Sequence, residues 1–173
     1  MKDNNQTIAT LHNLLDFNAG KFTSAEIQLR KSIPGWINKA DSLQIKAVLQ
    51  NYLDFVKQHV QKMESFFADE NFRSLSLINR VMQSFIEETN EKLIICADAV
   101  VTDACLLACI QDINHFKIST YGSAASFAHA LGLKKAAALF HELGTNEKNI
   151  NDRLSQLAEY DINIKAKALI LLQ

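Results

Sequence analysis

The carboxylate and imidazole side chains of this sequence are the groups that could bind a metal ion. A di-metal centre in a helical bundle needs about four inward carboxylates and usually two Glu-x-x-His motifs, because side chains at i and i+3 share a helix face. No Glu-x-x-His motif occurs in the sequence. Its histidines are scattered along the chain, at His12, His59, His115, His129 and His141. His59 lies on the apolar stripe of a predicted helix. A histidine in such a place is more often a hydrogen-bonded core residue than a metal ligand, and we interpret His59 in that way.

Motifs for nucleophilic catalysis and nucleotide binding are missing from the sequence. There is no GxSxG nucleophile elbow, although residue counting alone leaves a Ser/His/Asp triad open. There is also no GxGxxG fingerprint and no Walker loop, so nucleotide binding by those routes is not expected. The sequence therefore predicts no catalytic and no cofactor-binding residues.

The three cysteines are Cys96, Cys105 and Cys109, and the last two are four residues apart in one apolar run. There is no CxxC motif and no Cys/His spacing typical of zinc. A secreted disulfide scaffold usually has more cysteines, and an even number of them. We interpret all three as small buried hydrophobes in a reducing compartment.

Apolar residues recur at three- and four-residue steps through most of the chain, and no run alternates convincingly at period two. The pattern predicts an all-α antiparallel four-helix bundle over 7–160, with a disordered N-terminus over 1–6 and a tail over 161–173. Pro34-Gly35 should kink or end the first helix, and Gly144 should weaken the last. Ser42 is a plausible N-cap and Gly132 a C-cap glycine. The predicted helices are 7–32, 42–67, 72–92, 98–130 and 133–160, the third forming a helical crossover and the tail a short last helix.

Composition and charge exclude several classes of protein. The chain has 173 residues, with 18 Lys plus Arg against 19 Asp plus Glu, for a net charge of −1. A strongly basic nucleic-acid binder and a polybasic membrane clamp are therefore not expected. The polar residues 1–6 do not read as a signal peptide, and no stretch reaches about 18 uncharged apolar residues. We predict a cytoplasmic protein that binds neither nucleic acid nor membrane.

Two motifs carry a resemblance to a known family. Asn114-His115-Phe116-Lys117-Ile118-Ser119-Thr120-Tyr121-Gly122 is followed by Ala128-His129-Ala130-Leu131-Gly132. The pair resembles the ferritin-like YciE/YciF family of bacterial stress-associated proteins, in which a Glu-His-Tyr-Glu-Ile stretch precedes Tyr-Gly and a helix ending in Ala-Leu-Gly. The similarity runs from about Leu11 to Ala158. It implies a ferritin-like bundle with a potential di-metal centre.

The resemblance also implies that most of the family's metal ligands are lost here. The inward Glu of the first helix matches Glu26, and one Glu of the last helix matches Glu147. Two carboxylates therefore remain, and we predict no functional metal site and no cofactor. Hard oxygen ligands and imidazole build a di-iron site, and a lysine ammonium repels a divalent cation. The substituted ligand positions are Tyr52, Phe55, Asn114, Lys117 and Asn151.

Three functions stay open on this basis. The first is a non-catalytic ferritin-like bundle, related to stress response or protein interaction, with a degenerate di-metal site. The second is a metal-dependent oxidase or ferroxidase-like enzyme, which would need Glu26, His59 and Glu147 to converge with another carboxylate. Binding of a single metal ion by Glu26 and Glu147 also stays open. The third is a small-molecule binding module that uses the vacated bundle core, lined by Tyr52, Phe55 and Tyr121.

Two further expectations concern the bundle core and the tail. If the register is right, Lys117 projects between Glu26 and Glu147, and its ammonium relieves their repulsion in place of a metal. The alternative is that Lys117 extends to solvent and the glutamates are partly hydrated. The apolar tail 169–172 must be covered, which predicts a homodimer or a tail folded back on its own bundle.

Overall fold

The computed structural model describes residues 7–70 and 77–167. The predicted disordered N-terminus, the first residues of the predicted crossover helix and the apolar end of the tail lie outside these ranges. Five long helices make up most of the described chain: α1 Leu11–Lys39, α2 Leu43–Asp69, α3 Arg80–Ile95, α4 Ala99–Ala130 and α5 Lys134–Leu157. A π-helical turn, Ala158–Ile162, and the short helix α6, Asn163–Ala166, follow α5.

The prediction of an all-α bundle is confirmed, since no strand occurs in the described ranges. Helices α1 and α2 pack against each other, as do α4 and α5, and α3 connects the two pairs and packs on α1 and α4. None of the described helices is long and apolar enough to span a lipid bilayer.

Side-chain caps explain where four of the helices begin. The side chains of Thr10, Ser42, Asn79 and Asp98 each accept a hydrogen bond from the backbone N–H three residues further on. Such a cap satisfies one of the N–H groups that the first helical turn leaves unpaired. The predicted N-cap at Ser42 is confirmed. Gly132 follows α4 with a φ of 71°, a conformation that favours glycine, as expected for a C-cap glycine.

The structure corrects the prediction that Pro34-Gly35 kinks or ends the first helix, because α1 continues through both residues to Lys39. Proline inside a helix costs about 3 kcal/mol through the lost N–H bond and the ring clash. Here the turn on either side of Pro34 is held by tertiary contacts. Ile33 and Trp36 are buried, and the Trp36 indole N–H donates to Asn90 Oδ1 at 2.9 Å.

Two further boundaries differ from the prediction. Residues 77–79 are not helical, so the crossover helix begins at Arg80 after the Asn79 cap rather than at Phe72, which lies outside the described ranges. Helix α5 runs through Gly144 without a break. A Cβ added at Gly144 would lie 3.6 Å from Tyr121 Cβ, so this glycine sits at a close helix–helix contact, which supports the backbone there.

Two apolar clusters fill the bundle, and a buried polar layer separates them. One cluster includes Leu29 of α1 and Leu49 of α2, and the other includes Leu15 and Met63 of the same two helices. On α2, α4 and α5, buried polar residues come between the two apolar sets along the chain, and on α1 the buried Glu26 lies between Phe22 of one set and Leu29 of the other. These residues are Glu26, His59, Asn114, Lys117 and Glu147.

Candidate functional site

Lys117 of α4 lies between the two buried glutamates of the polar layer. Its Nζ is 2.8 Å from Glu26 Oε1, 3.0 Å from Glu26 Oε2 and 2.5 Å from Glu147 Oε1. The Lys117 side chain is 2% exposed, and both glutamates are fully buried. These distances confirm that Lys117 projects into the bundle beside both carboxylates, and they contradict the alternative in which it extends to solvent.

Three uncharged side chains donate hydrogen bonds to the two carboxylates. The Tyr52 hydroxyl donates to Glu147 Oε2 at 3.0 Å, and the Asn114 amide also donates to that oxygen. The Tyr121 hydroxyl donates to Glu26 Oε1. The Lys117 ammonium donates a further bond to the Tyr52 hydroxyl at 3.3 Å. Such bonds stabilise a buried charge pair by satisfying its remaining lone pairs and protons. Among the described residues, Asn114 Oδ1 accepts no hydrogen bond, and Glu147 Oε1 has the Lys117 ammonium as its ionic partner.

His59 of α2 belongs to the same cluster. Its Nδ1 lies 3.3 Å from Glu26 Oε1 and 3.5 Å from Glu147 Oε1, and its Nε2 lies 3.3 Å from the Asn146 side-chain amide. The interpretation of His59 as a hydrogen-bonded core residue therefore describes only part of its setting. Asn146 is partly buried, so the His59–Asn146 contact connects the cluster with the bundle surface.

The other two substituted positions contribute no group to the carboxylates. Phe55 packs on the apolar cluster around Leu49, with its ring centroid 6.4 Å from that of His59. Asn151 is partly buried, and its Oδ1 accepts no hydrogen bond from the described part of the chain. The structure thus brings together Glu26, Tyr52, Asn114, Lys117 and Glu147 from the predicted set, and leaves Phe55 and Asn151 outside.

The prediction of Lys117 between the two glutamates did not include His59 and Tyr121, which entered only the alternatives: His59 as an oxidase ligand and Tyr121 as a residue lining the vacated core. His59 is seven residues after Tyr52, a spacing of two helical turns that places both on one face of α2. Tyr121 is four residues after Lys117 and therefore also shares its face of α4. This periodicity was the available signal, but it does not distinguish a residue that touches the carboxylates from one that packs nearby.

The electrostatics of the cluster keep Lys117 charged. Burial alone would lower the pKa of the Lys117 ammonium, but Glu147 and Glu26 outweigh burial and raise it above its usual value. Burial would raise the pKa of Glu26, and Lys117 and His59 instead lower it to about 2. The pKa of Glu147 is raised, because burial and the neighbouring Glu26 together outweigh Lys117. Burial also raises the pKa of the Tyr52 and Tyr121 hydroxyls, which stay protonated as donors.

The donor set does not fit a di-metal centre. Within the described ranges, one group of three residues offers ligand atoms within 4.8 Å of one another, namely Glu26, His59 and Glu147. Two ions in a helical bundle need about four carboxylates and two histidines. In addition, the Lys117 ammonium has no lone pair to donate and contacts both carboxylates, on the side that a cation would need.

Comparison with known proteins agrees with this fold. Protein YciF of Escherichia coli K12 is 28% identical over 145 residues, which cover 83% of this chain and 87% of YciF. A crystal structure of the E. coli stress protein YciF superposes with a TM-score of 0.84 at 25% identity, over 90% of this chain and 99% of that one. The fold is also that of YcfI from Rhodopseudomonas palustris, with a TM-score of 0.83 at 23% identity, over 87% of this chain and 96% of YcfI.

A family model described as a domain of unknown function, DUF892, matches residues 10–167. These residues include every helix described above and all members of the buried cluster. The resemblance to YciE/YciF proteins is thereby confirmed, and the chain belongs to the DUF892 family.

Proposed function

We propose that this protein is a non-catalytic ferritin-like bundle in which the Lys117 ammonium takes the place of a metal. One observation carries the proposal: Lys117 Nζ lies 2.8 Å from a Glu26 oxygen and 2.5 Å from a Glu147 oxygen, in a fully buried layer. Two facing carboxylates without a cation would repel each other strongly in such a setting. The lysine supplies that cation as part of the chain itself.

The neighbours of Lys117 support a fixed structural centre rather than a reactive one. The Tyr52 hydroxyl and the Asn114 amide donate to Glu147, and the Tyr121 hydroxyl donates to Glu26. These bonds occupy lone pairs that a metal ion would otherwise use. The polar layer then specifies how α1, α2, α4 and α5 align, since a buried charge is stable only where its partners lie.

The biological setting is part of the same proposal. The structural relative from E. coli is described as a stress protein, and we propose a related stress-response role for this chain in the cytoplasm. Its three free cysteines support a reducing compartment. Because the bundle is proposed to be non-catalytic, we propose that it acts by binding a protein partner.

Metal analysis tests the proposal. The protein is purified without chelator, incubated with Fe²⁺ or Mn²⁺, desalted and measured by inductively coupled plasma mass spectrometry. We expect far less than one ion per chain. One or more bound ions per chain would contradict the proposal.

A gain of metal in a rebuilt site provides the matching positive control. The triple variant Lys117→Glu, Asn114→Glu, Tyr52→His restores two carboxylates and an imidazole beside Glu26, His59 and Glu147. We expect it to retain more Mn²⁺ than the wild-type protein. The variant Lys148→Glu, on the exposed face of α5, is the matched charge control and should retain no more than the wild type.

A metal-dependent oxidase is the second candidate, and the convergence of Glu26, His59 and Glu147 favours it. No fourth carboxylate joins these three in the described ranges, and Lys117 contacts both glutamates. Oxygen consumption on addition of Fe²⁺, lost in Glu26→Gln, would support the oxidase. A small-molecule binding module is disfavoured because the Lys117 side chain fills the space between the carboxylates.

A further inference from the structure

A surface cavity of about 710 Å³ lies where the start of α3 meets α1 and α4. Its volume falls within the range of about 300–1,000 Å³ that is usual for small-molecule sites. Phe22 lines the cavity and packs edge-on against Tyr121, with the ring centroids 5.3 Å apart, so it separates the cavity from the buried polar layer. Nothing in the proposed function uses this cavity.

Much of the cavity wall is apolar. Phe17 and Phe22 of α1 and Phe116 of α4 contribute three phenyl rings to it. Ile78 and Val81 line it on the α3 side, and these two side chains are 66% and 50% exposed. Covering apolar surface that faces water in a concave site is favourable. The wall therefore favours a ligand with an aromatic body.

The charged side chains of the wall are cations. Lys21 of α1 and Arg80, the first residue of α3, line the cavity, and no Asp or Glu of the described chain does so. Lys21 Nζ lies 4.2 Å from the centroid of the Phe17 ring, a cation–π contact that keeps the ammonium at the wall. Within the described ranges neither cation pairs with a carboxylate, and Asp16, beside Phe17 in the sequence, pairs instead with His12 at 3.1 Å. The two cations therefore give the cavity a positive potential that favours an anion.

Hydrogen bonds to α1 hold the α3 side of the cavity in place. The Leu77 N–H donates to the Gly20 carbonyl oxygen at 3.3 Å, and the Asn79 N–H donates to the Ser24 hydroxyl at 3.2 Å. The Asn79 side-chain amide donates to the Lys21 carbonyl oxygen at 3.4 Å. The wall is thus already formed, which reduces the entropy that binding of a ligand would cost.

A second groove differs from this cavity in its charges. It has a volume of about 550 Å³ and includes Val48 of α2 and Tyr160 of the π-helical turn. Its charged residues, Arg153 and Asp161, have opposite signs, and Asp161 pairs with Lys165 at 2.5 Å. This groove therefore has no excess charge that would select a ligand, whereas the first cavity has two cations.

We propose that the cavity between α1, α3 and α4 binds a small aromatic carboxylate. The carboxylate pairs with the Arg80 guanidinium, whose planar N–H donors match its two oxygens, and with the Lys21 ammonium. The aromatic ring packs against the phenyl rings of Phe17 and Phe116. An inorganic anion would leave these rings uncovered, and a neutral aromatic compound would leave both cations without a partner. The site is separate from the Lys117 centre and does not depend on it.

Calorimetric titration of the full chain with 1-naphthoate tests this proposal. We expect saturable binding of one naphthoate per chain. 1-Naphthamide keeps the shape without the charge, and inorganic phosphate keeps a charge without the ring, so each should bind at least about tenfold more weakly. Absence of naphthoate binding, or an equal affinity for either of the other two compounds, would overturn the proposal. This comparison uses the wild-type protein and does not depend on the folding of a variant.

Charge variants locate the site on the molecule. Lys21→Gln with Arg80→Gln should weaken naphthoate binding at least about tenfold. Lys39→Gln with Arg153→Gln is the matched control, since it removes one lysine and one arginine that do not line the cavity, and it should leave the affinity unchanged. Equal affinities of the two double variants, both checked for folding by circular dichroism, would contradict the assignment.

A variant at the half-exposed Val81 and a spectroscopic map complete the test. Val81→Glu adds an acid to the wall and should also weaken naphthoate binding at least about tenfold. In ¹H–¹⁵N correlation spectra of the wild-type protein, naphthoate should shift the amide signals of Lys21, Arg80 and Thr120, which line the cavity. Shifts centred instead on Val48 and Tyr160 would place the ligand in the second groove and overturn the proposal.

Discussion

The stability of the buried polar layer depends on Lys117, because its ammonium is the cation that faces Glu26 and Glu147 in the described part of the bundle. Removing one partner of a buried ion pair leaves the other charges uncompensated, which costs more than the pair itself contributes. Replacing a whole buried charge set by apolar groups can, in contrast, be nearly neutral. The cluster therefore stabilises the fold only as a complete set.

The variant Lys117→Met removes the charge and keeps an unbranched side chain that is one atom shorter. We expect it to lower the free energy of unfolding by about 3–5 kcal/mol, measured by urea denaturation at pH 7. Lys62→Met is the matched control, since Lys62 pairs with Glu142 on the surface and an exposed pair contributes about 0–1 kcal/mol. Equal losses in the two variants would show that the buried charge is not paired as described. Adding Glu147→Gln to Lys117→Met should recover part of the loss.

The same residues predict how stability depends on alkaline pH. The Lys117 pKa is raised above 10.5, so its contribution is complete below that value and is lost as the pH rises beyond it. The pKa values of Tyr52 and Tyr121 are raised above 10.0, so the unfolded chain releases their protons first and stability falls in the same direction. We expect the free energy of unfolding to decrease steeply above about pH 10. Tyr52→Phe should make this decrease shallower, and an unchanged slope would contradict the assignment.

At the scale of the elements, a side chain from α4 holds the connection between α1 and α2. Asp103 is 5% exposed, and its two carboxylate oxygens accept the backbone N–H groups of Asp41 at 2.9 Å and Ser42 at 2.8 Å. These N–H groups belong to the connection that turns the chain from α1 into α2. Asp103 therefore links the first helical pair to the second.

Asp103→Ala should lower the free energy of unfolding by about 1–3 kcal/mol, because it leaves part-buried N–H groups without an acceptor. Chemical denaturation measures this loss. Asp54→Ala, at an exposed aspartate paired with Lys57, serves as the control and should change stability by less than about 1 kcal/mol. A loss at Asp103 no larger than that of the control would mean that solvent replaces the two bonds.

Replacing each of two glycines in the α4 region by alanine should change the stability of the protein in opposite directions. Gly122 is exposed inside α4 with no atom within 4 Å of an added Cβ, so Gly122→Ala should stabilise the protein by about 0.5–1 kcal/mol through helix propensity. Gly132 has a φ of 71°, and Gly132→Ala should destabilise it by about 1–2 kcal/mol. Thermal unfolding of both variants checks the two signs, and a shift in the same direction would contradict the helix boundaries.

At the scale of the whole molecule, several large apolar side chains remain exposed on the described chain. Leu43 and Ile94 are each 76% exposed, and Ile95 is 81% exposed. A contiguous apolar patch typically marks a site of association, and Ile94 and Ile95 are adjacent at the end of α3. We propose a homodimer, the arrangement predicted from the apolar tail 169–172, which lies outside the described residues.

Light scattering coupled to size exclusion measures the mass of the assembly. We expect twice the chain mass of 19.4 kDa. The variant Ile94→Lys with Ile95→Lys should shift the mass toward the monomer if this end of α3 contributes to the interface. A monomeric mass for the wild-type protein across the concentrations tested would refute the homodimer.

Local patterns in the sequence determined most of the helices. The spacing of apolar residues, the Ser42 cap and the glycine at 132 each act within a few residues, so they predict α2 and α4 closely. The family resemblance supplied the register that placed Lys117 beside Glu26 and Glu147. A local signal failed at Pro34, where the proline predicts a break, but burial of Ile33 and Trp36 holds α1 in one piece.

Tertiary structure alone decided which other inward side chains meet the two carboxylates. The rotation and axial offset of four helices bring His59 and Tyr121 to the carboxylates and leave Phe55 and Asn151 outside. Helical periodicity assigns a residue to a face within one element, whereas contact between elements depends on how every other side chain fills the space between them.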